Sequence, residues 1–339
     1  MENGKLILDI QDLVVEYHTE DGIVHAVNGI NLQIEPQKTL GLVGETGAGK
    51  TTTAMSILRL VPDPPGVIKS GKIFLDGKDI LSLPIREMQA LRGSFASMIF
   101  QDPMTSLNPV IPVGEQISEV IRRHEKLPSD EAMEKALVML DTVGIARDRA
   151  NNYAHQLSGG MRQRIVIAIA LACSPKLLIA DEPTTALDVT IQAQILEVMK
   201  DLKNKFNTAM IMITHDLGIV AEICDDVSVM YAGKVVEHGT LAEVFKQTGH
   251  PYTEGLFNSL PNISHRSAKL KPIPGLMPDP TEVPPGCTFA PRCSYAIEKC
   301  FSEAPAIRWF SDTHYVECVR YEEPEFCLKG RVSAWQTKS

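Results

Sequence analysis

No apolar run in the 339 residues approaches the roughly 18 to 20 needed to cross a bilayer. The best stretch, Ile165 to Cys173, stops at Ser174-Pro175. The first residues, Met-Glu-Asn-Gly-Lys, lack the basic start and apolar core of a secretory signal. The expectation is a chain that stays in the cytosol and reaches a membrane only by docking on partners. An excess of basic charge is also missing. With 33 Lys and Arg against 42 Asp and Glu, the net charge is -9, and nothing points to nucleic acid as a partner. No long window is low in complexity, which argues against wholesale disorder. Cysteine is sparse through most of the chain. Only Cys173 and Cys224 precede residue 286, whereas five cysteines follow it. In a reducing compartment these are not expected to form structural disulfides.

What is present reads as an α/β protein. Residues 6 to 17 have β character, a turn falls at Asp21-Gly22, and β character resumes to about Ile34. The short apolar run Thr39 to Val43 leads into a glycine-rich loop, and a helical pattern follows from Lys50 to about Leu60. Gly71 to Asp76 is a further β region. Residues 113 to 173 are mostly helical by periodicity, and Leu177 to Ala180 and Ala209 to Ile213 are buried-strand candidates. Val227 to Tyr231 and Lys234 to Glu237 flank Ala232-Gly233 as a hairpin. Strands alternating with helices imply a largely parallel core, into which the helical stretch, roughly 103 to 172, is inserted. Beyond residue 260 the texture changes: Pro261, Pro272, Pro274, Pro278, Pro280, Pro284 and Pro285 crowd together as in a stiff linker. The expected division is therefore 1–260 and 261–339.

Gly44-Glu45-Thr46-Gly47-Ala48-Gly49-Lys50-Thr51 fits G-x-x-x-x-G-K-[ST] with a strand before and a helix after. The backbone N–H groups of such a loop curl around phosphate oxygens, aided by the positive end of the helix. Lys50 is placed to reach the β- and γ-phosphates, Thr51 to bind Mg²⁺, and Thr52 to add a phosphate contact. Alone, the loop says only that the chain binds a nucleotide triphosphate. The apolar strand at Leu177 ends in Asp181-Glu182. Asp181 is placed to hold Mg²⁺, directly or through water, which leaves Glu182 to orient or deprotonate the attacking water. His215 follows the strand at Ala209 and is placed to touch the γ-phosphate. Gln101 follows Ser97-Met-Ile-Phe and is a candidate for contact with Mg²⁺ or the water.

Ser158-Gly159-Gly160-Met161 precedes the apolar helix 165 to 173. With this motif the sequence resembles the nucleotide-binding subunits of ABC transporters over roughly residues 6 to 260. Met161 departs from the glutamine found in many members, but the anion-binding Ser158, Gly159 and Gly160 are intact. The resemblance implies a P-loop NTPase core of the RecA-like kind, with an N-terminal antiparallel β part and an inserted helical subdomain. It implies that the signature faces the partner subunit's ATP, that Tyr17 stacks on adenine, and that Ala186-Leu187-Asp188 touches the opposite subunit.

The end of the chain narrows the resemblance. His250-Pro251-Tyr252, followed by Pro284-Pro-Gly-Cys287 through Pro291-Arg292-Cys293, is similar to the extension of oligopeptide and dipeptide importer ATPases. Cys287, Cys293, Cys300 and Cys318 are separated by five, six and seventeen residues. Four thiolates in a proline-rich segment that cannot build a large core point to a metal staple. A [4Fe–4S] cluster takes four thiolates. Zinc does too, but usually in paired C-x₂₋₄-C spacing. The wide gaps and the family resemblance favour iron–sulfur in a small, irregular, metal-stapled extension, with Cys327 the rival of Cys318 as a ligand. Cys173 and Cys224 are read as packing residues.

The resemblance implies a working unit of two ATPase subunits, expected to be different chains. It adds two transmembrane permease subunits at the cytoplasmic face of the inner membrane and, indirectly, an extracytoplasmic peptide-binding protein. Three other readings compete: a nickel importer of the same architecture, a soluble ABC ATPase acting on nucleic acid or ribosomes, and a redox protein that binds nucleotide.

Overall fold

The computed structural model describes residues 6–185, 187–259, 272–323 and 325–328. Ala186 and the expected boundary near residue 260 lie outside the described residues.

Among the described residues, twelve strands form two sheets. They are β1 (Leu8–Thr19), β2 (Gly22–Ile34), β3 (Thr39–Val43), β4 (Gly66–Leu75), β5 (Lys78–Asp79), β6 (Ala96–Ile99), β7 (Leu177–Asp181), β8 (Ala209–Thr214), β9 (Asp226–Tyr231), β10 (Lys234–Thr240), β11 (Ile307–Trp309) and β12 (Tyr315–Glu317). The smaller sheet is antiparallel, in the order β2-β1-β4-β5. The larger runs β11-β12-β10-β9-β3-β8-β7-β6, with parallel pairing from β9 through β6.

Every residue of β3, β7 and β8 is buried. That is the pattern of parallel strands covered on both faces. Alternation along the strands sorts their side chains between two cores. Leu177, Ile179, Ile211 and Ile213 pack with the antiparallel sheet. Leu178, Ala180, Met210 and Met212 pack on the opposite side with the helices.

The helical insertion leaves the core between the neighbouring strands β6 and β7. Its main helices are Val113–Glu125, Ser129–Thr142 and Gly159–Leu171. Val113, Ile117 and Ile121 recur every four residues and meet Ala132, Ala136, Met139 and Leu140 in one buried seam. The helix after the glycine loop is shorter than its pattern implies, ending at Ile57.

The C-terminal extension departs most from expectation. Rather than a wholly irregular appendage, its described part adds β11 and β12 to the edge of the core sheet. β12 pairs antiparallel with β10 through Glu237↔Val316 and His238↔Tyr315. Strands of three residues are too short to leave a periodic signal in sequence.

Candidate nucleotide site

β3, β8 and β7 are adjacent and parallel, so their C-terminal ends open on one edge of the sheet. In open α/β sheets this edge is where ligands bind. The glycine loop leaves β3, Asp181 ends β7 with Glu182 directly after it, and His215 follows β8. Three segments far apart in sequence are thus brought together by strand order alone.

The loop conformation depends on glycine. Gly49 has φ +99, and a Cβ there would lie 2.4 Å from the Ala26 carbonyl oxygen. Lys50, nearly buried, donates from Nζ to the Gly44 and Glu45 carbonyl oxygens at 2.8 and 2.9 Å. Burial lowers its pKa, while the charges of Glu182, Asp181 and Glu45 work the other way. Its ammonium therefore sits in the field of these three carboxylates.

Burial pushes the Asp181 carboxyl up, and a hydrogen bond from Thr51 partly offsets this. A hydroxyl and a carboxylate held side by side beside a phosphate loop suit Mg²⁺, which takes one or two protein oxygens and completes its shell with phosphate and water. Glu182 stands in the left-handed region at φ +46, a conformation that non-glycine residues adopt mainly where surrounding contacts enforce it. Its Oε2 accepts from Gln101 Nε2 at 2.8 Å and Thr185 Oγ1 at 3.0 Å, and its Oε1 lies 3.1 Å from His215 Nδ1. Burial raises its pKa, but the bonds from His215 and Thr185 and the charges of His215 and Lys50 outweigh burial and hold it below the ordinary carboxylate range. The result is an ionised carboxylate flanked by an amide and an imidazole. That arrangement can accept a proton from water or fix its direction.

Tyr17, on β1, places its hydroxyl 3.4 Å from Thr52 Oγ1, so the antiparallel sheet brings it beside the loop. Ser158 caps the helix Gly159–Leu171, and its Oγ accepts from the Met161 N–H at 3.3 Å. The signature packs against the loop after Glu182. A Cβ on Gly159 would lie 3.6 Å from Leu187, and one on Gly160 would lie 2.7 Å from Ile191. Asp188 caps the helix Val189–Phe206 by accepting from the Ile191 N–H at 2.9 Å. No hydrogen bond joins Ser158, Gly159, Gly160 or Asp188 to the glycine loop of the same chain among the described residues.

Contacts that the sequence did not single out come from after residue 250. The Tyr252 hydroxyl accepts the Glu45 N–H at 2.9 Å, and Arg292 grips the Glu45 carboxylate. Thr185 was likewise missed, although its place three residues after Glu182 was a local clue.

The side-chain arrangement lends the expected metal staple no direct support. Among the described residues, no group of three or more His, Cys, Asp or Glu is arranged to hold a metal ion. Cys287, Cys293, Cys300 and Cys318 do share one neighbourhood. The Cys287 N–H donates to the Cys300 carbonyl at 2.8 Å, and the thiol of Cys318 feels the other three. Burial dominates, pushing Cys293 up to about 11 and Cys318 up to about 12. Neutral thiols pack as small hydrophobes, with Cys300 in a minor core with Ala290 and Val319. They gather without forming a coordination sphere. Cys327 is exposed. Cys224 is a packing residue with its thiol raised by burial to about 12, and Cys173, partly buried, is raised to about 11.

Comparison with known proteins agrees with this architecture. The family described as "ABC transporter" matches residues 27–185, and "Oligopeptide/dipeptide transporter, C-terminal region" matches residues 236–300. The oligopeptide transport ATP-binding protein OppD of Bacillus subtilis is 52% identical over 92% of this chain and 88% of its own length. OppD of Salmonella typhimurium is 49% identical over 94% of each chain. Among solved structures, the dimeric ATP-binding cassette MJ0796 bound to ADP and Pi matches with a TM-score of 0.62 at 25% identity, over 69% of this chain and 98% of that one. The cbiO1 subunit from Clostridium perfringens matches with a TM-score of 0.60 at 32% identity, over 71% of this chain and 91% of that one. The chain belongs to the ATP-binding subunits of ABC transporters, in the oligopeptide/dipeptide transporter family.

Proposed function

We propose that this chain hydrolyses ATP to power import of oligopeptides or dipeptides across the cytoplasmic membrane, as one of a pair of ATPase subunits. The observation that carries the chemistry is the environment of Glu182. It is an ionised carboxylate held by Gln101, Thr185 and His215, at the same sheet edge as Lys50 and the Thr51–Asp181 pair.

In this reading Gly44 through Thr52 hold the triphosphate, Tyr17 stacks on adenine, and Thr51, Asp181 and Gln101 hold Mg²⁺. The metal, when bound, neutralises phosphate charge. Lys50 leaves its two carbonyl partners for phosphate. Glu182 polarises the attacking water and His215 fixes its position. Ser158, Gly159, Gly160 and Met161 serve the nucleotide of the partner subunit. Support for this comes from the helix N-terminus, whose first N–H groups have no partners within the helix, and from the dimeric form of the similar cassette. Asp188 lies in the segment that meets the opposite subunit.

The partners proposed are a second, homologous ATPase in a heterodimer, two transmembrane permease subunits that meet the helical insertion, and, indirectly, an extracytoplasmic peptide-binding protein. Nucleic acid is not among them. No helix of the described residues is long and apolar enough to cross a membrane, in keeping with peripheral attachment at the cytoplasmic face. The relatives' names support peptide over nickel as cargo.

The finer reading of the extension is a [4Fe–4S] cluster on Cys287, Cys293, Cys300 and Cys318, with zinc as its rival. The proximity of four thiols supports it. Binding would require them to lose their protons and turn to a common point. Iron, zinc and sulfide assays on anaerobically purified protein decide it, and protein free of both metals ends it.

The test of the main reading is uptake by the reconstituted transporter. Wild-type complex should hydrolyse ATP and accumulate peptide rather than nickel. Glu182→Gln should still bind ATP, stall as a closed dimer and lose turnover. Undiminished hydrolysis in that variant would defeat the assignment.

A further inference from the structure

The phosphate loop is held from outside by the C-terminal extension. Arg292 ends the short 3₁₀ turn Ala290–Arg292. Its side chain is only 6% exposed. It donates from one guanidinium nitrogen to Glu45 Oε2 at 2.8 Å and from the other to Oε1 at 3.2 Å, a bidentate pair across 247 residues of sequence. Nε donates to the Pro274 carbonyl at 2.9 Å, and the guanidinium lies over the Tyr231 ring at 5.8 Å. An arginine so fixed has little freedom to leave its carboxylate.

Glu45 is the second residue of the glycine loop, and it is held at three points. Arg292 takes its carboxylate, the Tyr252 hydroxyl takes its N–H, and Lys50 and the Ala48 N–H donate to its carbonyl. The supports behind the first two are rigid. The rings of Tyr231, Tyr252 and Phe289 pack at 4.6 to 5.3 Å from one another. The same extension reaches the loop a second time, where the Met277 Cε would lie 2.9 Å from a Cβ on Gly47. A third tie joins the extension to β2, through the His25 N–H and the Pro280 carbonyl at 2.9 Å.

The three holds on Glu45 differ in kind. The lysine must give up its carbonyl partners to reach phosphate. The Gly44 and Glu45 carbonyls then lose the lysine, the second keeping the Ala48 N–H at 3.2 Å, and a negative carboxylate sits on the loop that binds an anion. The Ala48 N–H stays on the Glu45 carbonyl and Tyr252 on the Glu45 N–H, but of these contacts Arg292 alone compensates the carboxylate's charge.

We infer that Arg292 is a positioning residue for nucleotide: by clamping Glu45 it holds the phosphate loop open and neutralises a carboxylate that would otherwise repel the triphosphate. The extension is thereby part of the ATP site. The inference rests on the ATPase reading above.

The experiment measures ATP hydrolysis against ATP concentration in the assembled transporter. Arg292→Gln should raise KM for ATP about ten-fold with kcat within about two-fold, the scale of one charge-assisted bidentate contact. Arg292→Lys keeps the charge without the fork and should raise KM about three-fold. The discriminating variant is the double. Glu45→Gln alone should raise KM about three-fold, and added to Arg292→Gln it should bring KM back down, because the uncompensated carboxylate is gone. Arg308→Gln, on the exposed strand β11, serves as a control with unchanged kinetics. If Arg292→Gln fails to assemble, Arg292→Lys with and without Glu45→Gln carries the same comparison. Wild-type KM in the Arg292 variants, or effects of the two substitutions that simply multiply, overturns the inference. A wild-type complex without ATPase activity would instead sink the ATPase reading, and the inference with it.

Discussion

His314 Nε2 lies 2.9 Å from Glu237 Oε1, with the two side chains 1% and 0% exposed. The same carboxylate also accepts the N–H groups of Gly249 and His250 at 2.7 and 3.0 Å. One buried glutamate on the core strand β10 therefore ties down the start of the helix Pro251–Asn258 and the extension beside β12. A polar group this deep is tolerable only when satisfied, and here three donors from two segments converge on it.

Removing one partner from such a set strands the others. Glu237→Ala should cost about 3 kcal/mol, the upper end of the scale for leaving buried donors without their acceptor, and His314→Ala should cost less because the two N–H donors keep their acceptor. Chemical denaturation with equal m-values would read the difference. Equal, small losses for both variants would show that the carboxylate is not the shared anchor.

The glycine loop gives a backbone test. Gly49 combines φ +99 with a 2.4 Å approach to the Ala26 carbonyl, so Gly49→Ala meets both strain and a clash with a main-chain atom. Nucleotide affinity should fall by about ten-fold or more, and thermal stability should drop, since such backbone conflicts cost on the order of 1 to 3 kcal/mol. Binding of a fluorescent ATP analogue measures the first effect and thermal unfolding the second. Unchanged affinity would mean that the loop does not bind phosphate in this conformation.

The candidate site residues stand out in the sequence because each lies where an apolar strand gives way to a polar residue: Asp181 at the end of β7 and Glu182 just after it, His215 after β8, the glycine loop after β3. Strand order then assembles them, and sequence patterns report strands well when they are apolar and bounded by turns. Arg292 lies in the motif Pro291-Arg292-Cys293, yet nothing in the sequence connects it with Glu45, because a contact across 247 residues leaves no periodicity. The edge strands β11 and β12 were invisible for their brevity. The four late cysteines carried a spacing signal for metal, but spacing is silent on whether buried thiols face one another as ligands or pack as neutral side chains.

Gln101 and His215 are coupled through Glu182, and their removal should show it. His215→Ala and Gln101→Ala should each lower kcat by about 100-fold with KM little changed, as when a group that orients a catalytic base is lost. The double variant should fall well short of the product of the two, since both act on one carboxylate. Loss of His215 also removes a bond and a charge that hold the Glu182 pKa down. The acid limb of the pH–rate profile should therefore move to higher pH in His215→Ala. A profile superimposable on wild type would separate His215 from Glu182.

Glu243 offers a pH test of how the extension is fastened. Its carboxylate accepts from Ser311 at 2.6 Å and from Thr313 at 2.9 and 3.0 Å, both in the extension, and from Thr240 Oγ1 at 2.8 Å in the core. Burial alone would raise its pKa, but these hydrogen bonds outweigh it and bring the group from 4.5 down to about 2. The folded form thus prefers the carboxylate more than the unfolded chain does. The stability gained is fully present above the unfolded value of 4.5 and is lost as pH falls toward about 2. Glu243→Gln cannot ionise and should lack this dependence. The stability gap between wild type and Glu243→Gln should be widest above pH 4.5 and close steadily as pH is lowered toward about 2. Denaturant titrations of both proteins across that range measure it. A gap that stays constant with pH would mean that Glu243 holds the extension by shape and neutral hydrogen bonding, and that its charge contributes nothing to the attachment.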